Sequence, residues 1–70
     1  MIRVSVGTYP GGEIKDYALG AHETVRDALA KAGINVGNDA EVRVDGELVS
    51  MNSPLSEGDL VIVSKKVKGN

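Results

Sequence analysis

Seventy residues are enough for one small domain, and a chain of that size buries only about 60% of the surface its unfolded form exposes. It has no cysteine, which excludes disulfide staples and thiolate metal sites, and Tyr9 and Tyr17 are its only aromatic residues, so an aliphatic core with little room for an enclosed ligand pocket is expected. Eight basic against ten acidic residues argue against a dedicated duplex-DNA binder, and with neither a signal peptide nor a membrane-length apolar run the expected address is cytoplasmic.

Ile2, Val4 and Val6 alternate with Arg3 and Ser5, which predicts a first strand over 2–6. The run Gly7-Thr8-Tyr9-Pro10-Gly11-Gly12 stops it, because proline and consecutive glycines supply turn dihedrals and not a ladder. A second strand is predicted from Glu13 to Leu19, closing a hairpin in which Ile14 is out of phase with Tyr17 and Leu19. Thr24 then reads as a helix N-cap, with Asp27 at the third helical position as a variant of the capping box. Val25, Ala28, Leu29 and Ala32 follow at i, i+3, i+4 and i+7 and make one apolar stripe. Lys31 suits the last turn, and Gly33 is placed for a left-handed C-cap. After a connecting loop over 34–39, Glu41 to Val44 alternate again. Asp45-Gly46 signals a type I′ hairpin, and Glu47 to Ser50 return. The stretch from Met51 to Glu57 reads as irregular, with Leu55 plugging the core, and the last strand runs from Leu60 to about Val67.

The order is strand, strand, helix, strand, short strand, strand. A single helix must lie across one face of the sheet to bury its stripe. The last strand, apolar on both faces in its first half, belongs in the middle, parallel to the first. The expected fold is therefore α+β, a β-grasp with a mixed sheet of four to five strands and one helix packed across one face, all in a single domain over residues 1–70.

Three stretches, in this order, resemble the ThiS/MoaD-like sulfur-carrier branch of the ubiquitin-like proteins. Glu23-Thr24-Val25-Arg26-Asp27-Ala28-Leu29 is similar to the start of the family's helix. Val42-Arg43-Val44-Asp45-Gly46-Glu47-Leu48-Val49 is similar to its hairpin. Pro54-Leu55-Ser56-Glu57-Gly58-Asp59-Leu60-Val61-Ile62-Val63 is similar to the segment that leads into its final strand. The resemblance implies the β-grasp fold. It also directs attention to the C-terminus, where the family carries a Gly-Gly whose carboxylate is adenylated by a partner enzyme and converted to a thiocarboxylate or isopeptide. In this chain the tail reads Lys68-Gly69-Asn70. Gly69 falls on the penultimate glycine, and Asn70 sets a Cβ and an amide where the carriers have no side chain.

His22 has no cysteine or second histidine with which to share a metal, and it precedes the helix in a turn. The carboxylates are scattered among turns and caps. Asp39 to Gly46 fails as a calcium loop because Arg43 stands where an oxygen ligand is needed and the bidentate Glu is missing. The glycines of 7–12 lack the Gly-Lys-Ser/Thr and the helix of a phosphate loop, so a hairpin tip is the reading.

One feature of the surface has a direction to it. The resemblance implies that Val61 and Val63 fill the family's inward positions, which puts Leu60 and Ile62 outward, together with Arg3, Ser5, Arg43, Ser64 and Lys66. The candidate partner-binding residues are accordingly Arg3, Arg43, Ile62 and Lys66, with Lys68, Gly69 and Asn70 as the tail. The expected function is a non-enzymatic interaction module without a cofactor, its partner another protein. The alternative is a sulfur carrier of the thiamine, molybdopterin or tRNA-thiolation type, activated by an adenylating enzyme. A third reading, an RNA- or ribosome-associated module acting through Lys65, Lys66 and Lys68, is weakened by the lack of an aromatic stacking platform.

Overall fold

The computed structural model describes residues 1–37 and 39–65, with Lys65 described by its backbone alone. Lys66, Lys68, Gly69 and Asn70, and the expected run of the last strand to Val67, lie outside the described residues. Five strands and one helix follow in the order β1 (Ile2–Tyr9), β2 (Lys15–Leu19), α1 (Val25–Ala32), β3 (Ala40–Val44), β4 (Glu47–Leu48) and β5 (Leu60–Lys65). The spatial order is β2-β1-β5-β3-β4. β5 sits in the centre, parallel to β1 and antiparallel to β3, as its two-sided apolar sequence predicts.

The alternation sorts the two faces. Val4, Val6, Val42, Val61 and Val63 point at the helix and are buried, and they meet Val25, Ala28 and Leu29 of α1. Leu19 closes this core from β2 and Leu55 from the irregular segment, both buried, the latter in the plugging role expected of it. No polar or charged side chain is buried among the described residues, so apolar contact alone fills the core.

The helix is set at both ends by the predicted residues. The Thr24 amide donates to Asp27 Oδ2 at 2.9 Å, and Gly33 adopts the left-handed conformation at φ 73°. Two further donors of the first turn are met from a distance: the Val25 amide bonds the Ser53 carbonyl at 3.0 Å, and the Arg26 amide bonds that of Met51 at 2.9 Å.

That last arrangement explains one departure from expectation. β4 ends at Leu48 and does not run on to Ser50, because the chain turns away after Val49 to bring the carbonyls of 51–53 onto the helix. β2 is also shorter than expected and begins at Lys15, not Glu13. Ile14 is laid over Gly7 on the sheet face away from the helix, so close that a Cβ on Gly7 would stand 2.7 Å from Ile14 Cγ1. Its mismatch with the phase of Tyr17 and Leu19 is the trace of that crossing.

The turn between β3 and β4 has positive φ at both central residues, 51° at Asp45 and 88° at Gly46, as a type I′ turn requires. Asp45 also ties this turn to β5. Its amide donates to the Leu60 carbonyl at 2.9 Å, and its Oδ1 accepts from the Leu60 amide at 3.0 Å. The carboxylate takes the place of the next carbonyl in the ladder.

Leu29→Ala should lower the unfolding free energy by about 3 kcal/mol, the usual result of emptying a fully buried leucine site. Asp45→Ala should lower it by about 1–2 kcal/mol, through the unsatisfied Leu60 amide. Urea denaturation followed by circular dichroism measures both.

Candidate binding surface on the open sheet face

The face of the sheet opposite α1 carries no second layer among the described residues. Strand register decides which side chains meet there. Gly7 pairs with Ile62, Ile62 with Arg43, and Arg43 with Leu48, so these four form one row across β1, β5, β3 and β4. Ile14 lies over the Gly7 end of the row. Leu48 and Ile14 are the exposed apolar members, at 63% and 57%, and Ile62 between them is half-buried. The row is thus apolar at both ends and in the middle, with one guanidinium inserted between Ile62 and Leu48.

Arg43 is exposed, and its Nη2 stands 3.4 Å from Glu41 Oε2, a long and solvated ion pair that contributes little. A partner's carboxylate can therefore recruit the guanidinium at small cost. Next to this row, Ser5 pairs with both Leu60 and Asp16, and Ser5 Oγ donates to Asp16 Oδ1 at 2.7 Å.

The candidate residues do not all come together. Ile62 and Arg43 are direct cross-strand neighbours. Arg3 is on the same face but four residues before Gly7 along β1, roughly 13 Å from the row at strand rise. Its amide donates to Glu57 Oε1 at 2.9 Å, while the side chain is exposed. Lys66 and the tail residues Lys68, Gly69 and Asn70 lie outside the described residues. Sequence reasoning missed Ile14, Gly7 and Leu48. The out-of-phase Ile14 was the available signal, and Leu48 opposite Arg43 in a two-residue hairpin was another.

Several of the carboxylates are engaged in holding turns and strands. Besides Asp16, Asp27, Asp45 and Glu57, Asp59 accepts from the Ser56 amide at 2.8 Å and Glu23 from that of Gly20. His22 is exposed in the turn before the helix. Among the described residues no three His, Asp or Glu side chains come together as a metal-binding group, and no helix is long and apolar enough to cross a membrane.

The fold is the ubiquitin-like β-grasp. SAMP1 from Haloferax volcanii superposes with a TM-score of 0.81 over 97% of this chain and 99% of its own, at 15% identity. A putative molybdopterin converting factor subunit 1 from Pyrococcus furiosus gives 0.75 over 96% of this chain and 100% of its own, at 24% identity. A Caldiarchaeum subterraneum ubiquitin gives 0.65 over 99% and 98%, at 11% identity. No protein-family model matches the chain, and no curated protein matches it.

Gly7→Ala should cost about 1–3 kcal/mol, because the added methyl displaces the Glu13-Ile14 segment from the sheet. Ile14→Ala, which only trims an exposed side chain, should cost less than about 1 kcal/mol. Denaturation midpoints of the two variants check this, and equal losses would mean that Ile14 does not rest on Gly7.

Proposed function

We propose that the protein is a non-enzymatic interaction module that receives a partner protein on its open sheet face. The supporting observation is the row from Ile14 through Gly7, Ile62 and Arg43 to Leu48. It offers apolar contact on either side of a guanidinium whose only ion pair among the described residues is a long one with Glu41. A partner would insert an aliphatic or aromatic anchor beside Ile62 and bring a carboxylate to Arg43, with the surrounding polar groups excluding water from the contact. Nothing in this role asks for general acid–base chemistry, which suits a chain in which five of the ten acidic side chains accept from backbone amides.

The second reading is a carrier activated at its C-terminus. It is favoured by the likeness to a modifier and to a molybdopterin converting factor subunit, and by Gly69 in the penultimate position of the tail. In that case an adenylating enzyme would be the partner, and the open face would dock it while the tail enters its channel.

The intact mass of the protein purified gently from its native cells, together with whatever copurifies, separates the two. An unmodified chain held by a stoichiometric protein, with binding weakened at least about thirtyfold by Ile62→Asp and unchanged by Gly69→Ala, is the result expected of an interaction module. A mass gain equal to replacing one oxygen by sulfur, abolished by Gly69→Ala, would establish the carrier and displace the first reading.

A further inference from the structure

We propose that the surface cleft beside the C-terminal end of the helix binds a small amphiphilic amine, its aliphatic chain among Pro10, Ile34, Ala40 and Val63 and its ammonium on Asp39. The cleft holds about 460 Å³ and lies between the end of β1, the loop after α1 and Val63 of β5. Val63 belongs to the buried core on the helix side of the sheet. The site is thus separate from the open face and independent of the role proposed for that face.

Local structure builds the walls. Gly33 takes the left-handed conformation, and the Ile34 amide donates back to the Leu29 carbonyl at 3.0 Å, the bond that closes a helix in a Schellman motif. Ile34 is thereby held against the core while the chain runs on toward β3. The Ala40 amide donates to the Gly37 carbonyl at 3.2 Å and fixes the start of that strand. Val63 stands on the neighbouring strand, paired with Val42 two residues on from Ala40. Pro10 adds a wall from the connection between β1 and β2. A concave site with mostly apolar walls and a few polar groups is the usual form of a small-ligand site.

Charge selects the ligand. Two other clefts each carry one charge of either sign, Glu13 with Lys15 and Arg26 with Glu41, which offset one another. Beside Val63, Asp39 is the one charged lining residue among those described. Five carboxylates of the chain accept from backbone amides. Asp39 has neither a hydrogen-bond nor an ion-pair partner among the described residues. Its carboxylate lies close to Gly37, where a Cβ would stand 3.1 Å from Oδ1. Asn35, in the same lining, offers a further oxygen acceptor. An ammonium brings three donors to such acceptors, whereas an anion is repelled by Asp39. The alkyl chain gains by leaving water for the apolar walls.

The test uses the full chain and nuclear magnetic resonance titration with hexylammonium, whose saturable shifts should centre on Ile34, Asn35, Asp39, Ala40 and Val63. Butylammonium should bind roughly tenfold more weakly, the effect of two buried methylenes. Hexanol, which has the chain without the charge, should bind about fivefold more weakly than hexylammonium. Asp39→Asn, a change at an exposed position, should remove that fivefold preference and leave hexanol unaffected. Asp39→Lys should make hexanoate the preferred ligand, and Ile62→Asp should change nothing. The proposal is overturned if hexylammonium does not saturate, if it shifts the Ile62 row instead, or if Asp39→Asn leaves its preference over hexanol intact. Equal binding of butylammonium and hexylammonium also sinks it, because the apolar walls would then take no part. A capped lysine that binds more tightly than hexylammonium would assign the cleft to a lysine of a partner protein. Binding that appears only after Lys65, Lys66 and Lys68 are changed to alanine would assign it to the chain's own tail. Either result likewise overturns the proposal.

Discussion

The parallel pairing of β1 with β5 is the constraint on which the rest of the molecule depends. Two strands can lie parallel only if the chain between them travels back to the starting end, and here that return carries the helix and the β3–β4 hairpin. Val6 beside Val61, with Val42 and Val63 next to them, makes a continuous aliphatic floor at the middle of the sheet. The apolar stripe of α1 has no other surface on which to lie. Once that contact forms, β2 and β3 flank the central pair and β4 adds the far edge beyond β3.

Among the described residues the core has no buried polar side chain, which gives the fold cohesion but little geometric definition, because aliphatic contacts are non-directional. Definition comes from the connections. Asp27, Asp45, Glu57 and Asp59 each accept from a backbone amide at a turn or strand end, and Asp16 takes a cross-strand hydroxyl. The small acidic excess of the chain is thereby largely structural.

The same economy leaves the chemically uncommitted groups on two surfaces. On the open face, Arg43 stands among aliphatic side chains with one weak ion pair. In the cleft beside Val63, Asp39 stands at apolar walls with no ion pair among the described residues.

Most of the elements, the core and the turn chemistry were legible in the amino-acid sequence, because each depends on residues within a few positions of one another; the exception is the end of β1, which runs past the stop expected at Gly7 to Tyr9 because Gly7, Thr8 and Tyr9 pair with β5. Alternation of Ile2, Val4 and Val6, the stripe from Val25 to Ala32, Gly33 after the helix and Asp45-Gly46 in the hairpin all act over short range. The outward direction of Ile62 was not legible in this way, because Leu60 to Val63 are apolar on both faces, and it came only from the family resemblance. What only the tertiary structure decided is which exposed residues stand side by side. Leu48 meets Arg43, Arg43 meets Ile62, and Ile62 meets Gly7 through the register of three different strand pairs, while Ile14 reaches Gly7 by leaving the ladder. Lys31 finds the Ala18 carbonyl across thirteen positions of chain. Register is a long-range property, set by how distant segments pack on one core, and no local pattern along the chain records it.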